Sequence, residues 1–342
     1  MKILVNTDSS SDDQPPHQHW PRLAGHAEAW SRSLHRGLGH TPIRLTAQDD
    51  SGRLIGRLPL SLVQSPLFGK FLVSQPYLNT GGVWTDEPSV ASGMVDKAIE
   101  LADQFDVKYL ELRNEVRVVH PKLTVERTDK VHMRLEVPSS AEALLAGFKS
   151  KLRSQLKKAS QNPFEVVYGG EALLDEFYRV FAINMRDLGT PVYSKRLFSS
   201  ILTEFGGASE LCVVRLGKKV VSVALLVHHL EFTEVPSASS LRKFNSTGAN
   251  MWMYWQLLQR AIERGSKMFD FGRSSLDSGT FKFKEQWGAL PSPACWQYYI
   301  RSGSPNDMRP DSPKKQRLVE AWKRFPVWMT RLIGPSIVRG IP

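Results

Sequence analysis

Cysteine is scarce in this sequence, and the clusters that would hold a metal ion are missing. The 342 residues include only two cysteines, Cys212 and Cys295, which lie too far apart for a paired metal-binding or redox motif. The nine histidines form no HExxH motif and no His/Cys cluster. We therefore expect no metal site, and the isolated cysteines favour a reducing compartment.

Long apolar runs are also lacking. A membrane-spanning helix needs ~20 mainly apolar residues, and no segment approaches that length. The opening segment "MKILVNTDSSSDDQPPHQHW" turns polar too soon to form the apolar core of a secretion signal. The sequence therefore predicts a cytoplasmic protein, with peripheral contact at the inner face of an anionic membrane as a further expectation.

Neither a Walker A motif nor a GxGxxG motif occurs, so a nucleotide-fold phosphate loop is not predicted. The charge balance nevertheless points towards anions, because 45 Lys and Arg against 34 Asp and Glu give a net charge of +11. Nucleic acid, acidic lipid and phosphorylated cofactors are all suitable partners. A basic face that is merely solvated is the alternative.

Strands and helices alternate clearly in the second half. The helix before Gly189 and the helix capped by Ser194 each carry one apolar stripe. A strand over 231–241 is interrupted at Pro236, which cannot donate to a sheet. The remaining expected elements are a strand at 164–170, a hairpin around Gly217 and Lys218, a helix from Met251 to Gly265, the strand "KMFDFG", the segment "GTFKFKEQWGA" and the aromatic strand "ACWQYYI".

The first half repeats a thinner version of this order. It contains a strand "KILVN", a helix over 20–37, a hairpin around 49–52, a strand "KFLVSQPYL", a helix over 90–105 and a strand "VKYLELR". Sliding the halves by 159 positions superposes Ala102 on Ala261, Lys108 on Lys267 and Glu111 on Asp270. The matching order and these pairs predict a duplicated fold.

A basic amphipathic helix is expected between the halves, over 139–163. One apolar stripe is formed by Leu145, Phe148, Leu152, Leu156 and Ala159, and Ser140 caps the helix. Basic residues occupy the other sides: Lys149, Lys151, Arg153, Lys157 and Lys158. They indicate either a solvated face or contact with an anionic ligand.

The stretch "ASSLRKFNSTGANMWMYWQ" predicts an anion site where a strand leads into a helix. A helix N-terminus presents free N–H groups and the positive end of its dipole, which favours phosphate or pyrophosphate. Asn250 is the expected N-cap, and an ordinary capped turn is the alternative. The candidate cofactor-binding residues are Arg242, Lys243, Asn245, Ser246, Thr247, Gly248 and Asn250.

The chain resembles the FemAB-type branch of the GNAT superfamily, particularly FemAB-like proteins associated with exosortase/PEP-CTERM systems. The resembling segments are "KLRSQLKKA" (151–159), "NMRDLGTPVYSKRLF" (184–198), "EVPSASSLRKFN" (234–245), "AIERGSKMFDFGRSS" (261–275), "GTFKFKEQWGA" (279–289) and "GPSIVRGIP" (334–342). The resemblance implies an α+β, mixed α/β fold of two tandem GNAT-like domains, whose mixed sheets are flanked by helices. The expected boundaries are 1–138 and 164–302 for the domains, 139–163 for the linking helix and 303–342 for a basic aromatic tail.

The resemblance also implies transfer of an acyl or aminoacyl group to an amine, with Lys284 at the reaction centre. A cation there can stabilise the oxyanion of acyl transfer, and Lys282 shares its face if this segment is extended. Asp270 and Glu285 are the candidate bases that take the amine proton.

The polar connection "NMRDLGTPVYSKR" is expected on the acceptor side. An unpaired amide on the apolar stripe of a helix would be costly, so Asn184 needs a partner. We assign acceptor binding to Asn184, Arg186, Tyr193, Arg273, Lys282 and Trp287.

Three functions follow as expectations. The first is an N-acyltransferase that moves an acyl group from acyl-CoA to an amine of an envelope or exopolysaccharide precursor, carried on a small molecule, a lipid or a nucleotide. The second is an aminoacyl-tRNA-dependent peptidoglycan-type transferase, which the missing coiled-coil insertion opposes. The third is an idle scaffold for polysaccharide assembly or for membrane association through the cationic, aromatic tail.

Overall fold

The computed structural model describes residues 1–7, 24–303 and 313–341. Residues 20–23 of the expected first helix and residues 304–312 and 342 of the expected tail lie outside this part. The first elements are β1 (Lys2–Asn6), α1 (Glu28–Leu38), β2 (Thr41–Gln48), β3 (Leu54–Ser65), β4 (Gly69–Val73), α2 (Pro88–Gln104), β5 (Tyr109–Asn114), β6 (Val125–Arg127) and β7 (Lys130–Glu136).

The chain continues into a second series of elements. These are α3 (Ala141–Gly147), α4 (Ser150–Ala159), β8 (Phe164–Gly169), α5 (Leu174–Leu188), α6 (Lys195–Phe205), β9 (Ser209–Leu216), β10 (Lys219–His229), β11 (Phe232–Ser240), α7 (Ala249–Glu263), β12 (Met268–Ser275), α8 (Gly279–Glu285), β13 (Leu290–Pro293), β14 (Cys295–Ile300), α9 (Pro313–Lys323) and α10 (Val327–Val338).

In the described part of the chain, the first sheet has seven strands in the order β1-β2-β3-β4-β5-β14-β6. The β4–β5 pair is parallel, whereas the pairs on either side are antiparallel. Helix α2 begins with Pro88, where a missing N–H costs nothing. Its buried Val90, Met94 and Ala98 pack against strand residues such as Leu58 in one apolar core.

The second sheet also has seven strands within the described residues, in the order β13-β7-β12-β11-β10-β9-β8. The β11–β12 pair is parallel, and β8 to β11 are otherwise antiparallel. The buried face of α7, with Met253, Leu257 and Leu258, packs against Phe269 and Phe271 of β12. Two tandem mixed sheets with flanking helices confirm the predicted fold class.

Contacts divide the chain into two compact units that are not continuous in sequence. Unit 1 comprises Met1–Lys130, Pro293–Gln316 and Ser336–Pro342, and unit 2 comprises Val131–Ser292 and Arg317–Pro335. The aromatic strand expected to complete the second half, β14, instead pairs with β5, from Cys295 opposite Asn114 to Ile300 opposite Tyr109. Strand β7 joins the second sheet in return. This grouping places β7 in unit 2 and β14 in unit 1, and the expected domain boundaries stay a prediction.

The expected linking helix is two helices. Helix α3 ends at Gly147, and Phe148 is extended with ψ at 145° before α4 begins at Ser150. This break shifts the helical phase, so that Leu144 is buried and Leu145 is 36% exposed, in place of the stripe expected through Leu145. The rest of that stripe is buried as predicted, and Ser140 caps α3.

Candidate functional site

A groove opens where the two parallel strands of the second sheet separate. Strands β11 and β12 pair only from Phe232 opposite Met268 to Glu234 opposite Asp270, although both strands continue. Pro236 lies two residues after Glu234 and has no N–H to donate. The register of β11 on β10 shifts at the same place. The expected interruption is therefore a bulge within a continuous strand, and beyond it β11 leaves its neighbour.

The groove has a volume of about 520 Å³ and runs from the start of α7 to Lys284. Four elements and one turn form its walls. Its lining residues are Asn184 and Leu188 of α5, Ala238, Ser239 and Ser240 of β11, Arg242, Asn245 and Gly248 of the following turn, Asn250, Met251 and Tyr254 of α7, and Gly279, Thr280, Phe283 and Lys284 of α8.

The turn before α7 is a 3₁₀ helix over Arg242–Thr247, followed by Gly248 in a left-handed conformation with φ of +75°. Gly248 is the N-cap of α7, so the expectation that Asn250 caps the helix is wrong. Asn250 lies in the first helical turn, where its Oδ1 accepts a hydrogen bond from Ser240 Oγ at 3.0 Å. The backbone N–H groups of this turn have no intrahelical acceptor in helix geometry.

The structure brings four of the seven candidate cofactor residues to the groove, namely Arg242, Asn245, Gly248 and Asn250. The other three do not line it. The ammonium of Lys243 lies 5.3 Å from the ring centre of Phe244, Thr247 Oγ1 donates to the Phe244 carbonyl at 2.6 Å, and Ser246 is exposed.

Lys284 is the charged side chain at the far end of the groove. It lies on α8, which begins after Ser278, whose hydroxyl accepts from the N–H of Phe281. Its buried Nζ donates to the carbonyls of Gly272 and Arg273, each at 3.0 Å. Burial disfavours the charged ammonium and lowers the pKa of Lys284 to about 8, while Asp270 acts to raise this pKa and Arg273 to lower it.

Because α8 is helical, the expectation that Lys282 shares the face of Lys284 is wrong. Residues two apart on a helix point in nearly opposite directions. Lys282 and Glu285 are exposed, and neither lines the groove. Trp287 is 1% exposed and packs against Phe148, with ring centres 5.6 Å apart, so it lies in the core and not at the expected acceptor site.

Asp270 is buried behind the groove. Its Oδ2 accepts from Arg134 Nε at 3.0 Å, and its Oδ1 accepts from the N–H of Gly272 at 2.6 Å. Since Gly272 also supplies a carbonyl to Lys284, the carboxylate and the ammonium hold the same backbone segment. Asp270 does not line the groove, and this geometry suits a residue that positions Lys284.

Of the expected acceptor residues, Asn184 lines the groove and donates through Nδ2 to Ser239 Oγ at 3.1 Å. Arg186 instead donates to Asp187 and to the Phe325 carbonyl, at 2.7 and 3.1 Å. The ring of Tyr193 stacks on Phe181 at 6.3 Å. The side chain of Arg273 does not line the groove either.

Nine groove residues were not predicted from the sequence as site residues: Leu188, Ala238, Ser239, Ser240, Met251, Tyr254, Gly279, Thr280 and Phe283. The two serines carried a usable signal, since small polar residues where a strand leaves the sheet leave space beside the backbone. The aromatic residues Tyr254 and Phe283 carried no such signal. An apolar stripe on a helix predicts that its residues are buried, but it does not distinguish the core from a groove.

Nowhere in residues 1–7, 24–303 and 313–341 do three or more His, Cys, Asp or Glu side chains come together to hold a metal ion. Nor does any helix there have the length and apolar character required to cross a membrane.

Comparison with known proteins identifies the fold. A family model for the acetyltransferase (GNAT) domain matches residues 146–285, which contain all the groove residues. The structure of FemX, a FemAB-family protein, is similar with a TM-score of 0.63 and 16% identity, over 86% of this chain and 93% of that one. No curated protein matches the chain significantly.

Two other solved structures are similar over most of their length. A tandem GNAT protein from the clavulanic acid biosynthesis pathway gives a TM-score of 0.55 and 12% identity, over 89% of this chain and 100% of that one. L-PGS from Bacillus licheniformis gives a TM-score of 0.52 and 13% identity, over 90% and 97%. The chain therefore has the GNAT acetyltransferase fold in two tandem halves, as the sequence resemblance predicted.

Proposed function

We propose that this chain is an N-acyltransferase that takes an acyl group from an acyl-CoA and places it on an amine of an envelope or exopolysaccharide precursor. The observation that supports it is a continuous groove in unit 2 that runs from the start of α7 to Lys284. GNAT domains generally bind acetyl-CoA or another acyl-CoA, and the matched region contains this groove. An association with exosortase systems rests on the sequence resemblance alone.

The start of α7 is the proposed seat of the donor's pyrophosphate. Its first-turn N–H groups and helix dipole favour an anion, and Arg242 lines the same end of the groove. The end of α4 lies beside it, because Asn162 Nδ2 donates to the Thr247 carbonyl at 3.1 Å. The exposed Lys157 and Lys158 at the end of α4 add positive charge for a further phosphate of the donor.

Lys284 is the proposed catalytic residue. The acceptor amine forms a bond to the thioester carbonyl carbon, and the oxygen becomes negative as the tetrahedral intermediate forms. An ammonium has three N–H donors, and two of those of Lys284 bind the carbonyls of Gly272 and Arg273. The third can stabilise the oxyanion and then protonate the departing thiolate as the C–S bond breaks, while the amine loses its own proton to solvent. Lys284 then takes a proton from solvent, which restores its ammonium for the next turnover.

The Asn184 end of the groove is the proposed acceptor side. The Asn184 amide and the Ser239 hydroxyl are held together by one hydrogen bond and offer donors and acceptors for a saccharide. Leu188 adds an apolar side chain that is 50% exposed. A lipid-linked or nucleotide-linked saccharide that carries an amine is therefore the proposed acceptor, and the cytoplasm the proposed compartment.

An aminoacyl-tRNA donor is the second candidate. The exposed basic face of α4 favours it, since Lys151, Arg153, Lys157 and Lys158 could contact a nucleic-acid backbone. Binding through such contacts should fall steeply with salt. Replacing Lys151 and Arg153 with glutamine should then weaken tRNA binding without changing binding of acyl-CoA.

Binding measurements with acetyl-CoA, longer acyl-CoAs and tRNA test these proposals. Thermal stabilisation by CoA thioesters, followed by acyl transfer to amines of envelope-precursor extracts detected by mass spectrometry, would support the acyltransferase. Salt-sensitive binding of tRNA alone would support the second candidate. No response to any donor would contradict both and leave a scaffold of the GNAT fold.

A further inference from the structure

Four large apolar side chains of the described C-terminal helices face solvent. Leu318 of α9 is 64% exposed, and Trp328, Leu332 and Ile333 of α10 are 65%, 72% and 36% exposed. Trp328 and Leu332 are four residues apart and therefore lie on one face of α10. We call the exposed residues Arg317, Leu318, Arg324, Trp328, Arg331 and Leu332 the α9–α10 surface.

The opposite side of these helices is firmly packed in unit 2. Trp322 is 9% exposed and lies with its ring centre 5.9 Å from that of Phe325. Gly334 packs so closely on the chain that a Cβ there would lie 2.9 Å from the Val192 nitrogen. These contacts fix the helices by an inner face, whereas Trp328 and Leu332 lie on an outer face of α10.

Positive charge accompanies the apolar residues. Arg317, Arg324 and Arg331 are exposed. The acidic Glu320 is already neutralised by Lys323 at 2.6 Å. Cations around an exposed tryptophan and leucine match an anionic lipid surface, where the aromatic ring lies at headgroup depth and the basic groups meet phosphates.

The α9–α10 surface lies next to the acceptor end of the groove. Leu188 lines the groove and is followed by Gly189, which leaves no room for a side chain because Val319 of α9 packs against it. The guanidinium of Arg331 lies 5.2 Å from the ring centre of Tyr178 on α5, the helix that carries Asn184 and Leu188. A partner that binds the α9–α10 surface would therefore lie close to the acceptor end of the groove.

We propose that the α9–α10 surface docks on an anionic lipid membrane and holds the acceptor end of the groove near the headgroups. Trp328 and Leu332 insert their side chains, and the three arginines contact lipid phosphates. The membrane contact stands independently of the proposed chemistry. Its use, capture of a lipid-linked acceptor, rests on the proposed function.

Vesicle sedimentation with the full chain tests the docking. The wild type should bind phosphatidylcholine vesicles that contain phosphatidylglycerol and bind pure phosphatidylcholine vesicles much more weakly. The double variant Trp328→Ser, Leu332→Ser should lose roughly a hundredfold or more in vesicle affinity, because each buried apolar side chain contributes at least about a factor of ten. Arg317→Gln, Arg324→Gln should lose roughly fivefold for each charge and leave a weaker salt dependence.

A matched control is the double variant Leu67→Ser, Leu290→Ser, since these leucines are 75% and 73% exposed but lie outside the α9–α10 surface. It should bind vesicles as the wild type does. Brominated lipids should quench Trp328 fluorescence, and Trp328→Phe should remove that quenching while vesicle binding persists. The described tryptophans that are buried serve as the unquenched background: Trp30, Trp255, Trp287, Trp296 and Trp322.

Failure of the wild type to bind anionic vesicles, or equal loss in the leucine control, would overturn the proposal. A dimer in sedimentation velocity that only Trp328→Ser, Leu332→Ser disrupts, without vesicle binding, would assign the surface to a second copy of the chain and overturn it too. The double variant should keep its affinity for acyl-CoA. Loss of docking with donor binding intact would thus leave the proposed chemistry standing.

Discussion

The two units share one arrangement: a helix, α2 in unit 1 and α7 in unit 2, leads into the second strand of a parallel pair. The units differ in what lies next to that strand pair. In unit 2, strands β11 and β12 separate and leave the groove. In unit 1, Arg113 lies near the end of β5. Its buried guanidinium donates to the carbonyls of Gln75 and Leu78, which follow β4, and lies 4.1 Å from the ring centre of Trp296. One unit is thus open where the other is filled.

The 159-residue offset relates this difference to single positions. Arg113 corresponds to Gly272, the residue whose carbonyl accepts from Lys284, and Glu111 corresponds to Asp270. Gly272 has φ of +77°, a conformation that favours glycine. Both acids are buried and paired with an arginine, Glu111 with Arg113 and Asp270 with Arg134. The buried acid is therefore a feature of the duplicated fold, whereas the open space beside it is particular to unit 2.

The largest expected effect comes from removing the Arg113 side chain, which fills the space in unit 1. Arg113→Ala should lower the free energy of unfolding by about 3–5 kcal/mol, because it leaves the buried Glu111 carboxylate unpaired. Urea denaturation measures this change. Arg117→Ala removes an exposed ion pair with Glu126 and should cost less than about 1 kcal/mol. Weakened acyl-CoA binding by Arg113→Ala without loss of stability would place a donor site in unit 1 and break the comparison.

Removing the ammonium of Lys284, in the groove of unit 2, should have the next largest effect. Lys284→Met should lower kcat about 10²–10³-fold, as expected for loss of one donor to an oxyanion. The rate is measured as release of the CoA thiol. Lys282→Met, on the exposed side of the same helix, is the control and should release thiol as fast as the wild type. Equal rates for Lys284→Met and the control would remove Lys284 from the mechanism.

The local elements that build both units could be predicted from the sequence, because their signals are local. The apolar stripe of α5 ends at Gly189, and Ser194 caps α6 through the N–H of Leu197, as expected. The exchange of β7 and β14 could not be predicted, since strand partners depend on contacts between distant residues. The same holds for the pairing of Asp270 with Arg134, which are 136 residues apart.

The candidate site was partly predictable for a related reason. Four of the seven residues around the turn before α7 line the groove, because a strand–turn–helix sequence fixes their position locally. The alternation Phe281-Lys282-Phe283-Lys284 suggests a strand, but seven residues after a Ser278 cap form α8. That difference decides which lysine lies in the groove, and only packing against the second sheet settles it.

A smaller effect, on the affinity for acyl-CoA, is expected at the proposed donor end of the groove. The adjacent residues Arg242 and Lys243 provide a test position and its control. Arg242→Ala should weaken acyl-CoA binding by roughly tenfold, since Arg242 lines the groove and a charge-assisted hydrogen bond to phosphate would be lost. Lys243→Ala, one residue along and outside the groove, should change the affinity far less. Isothermal titration with an acyl-CoA distinguishes them, and equal effects would mean that only general charge matters.

The smallest expected effect is a shift in the pH dependence of kcat. This shift compares the two buried acids, Asp270 of unit 2 and Glu111 of unit 1. Since the pKa of Lys284 is about 8 and its ammonium is the active form, kcat should fall as pH rises through about 8. Asp270 raises that pKa, so Asp270→Asn should move the fall to lower pH, whereas Glu111→Gln in unit 1 should leave it in place. Lys284→Arg should abolish the fall, because a guanidinium stays protonated. A shift with Glu111→Gln as large as with Asp270→Asn would mean that lost stability, and not the charge beside Lys284, sets the profile.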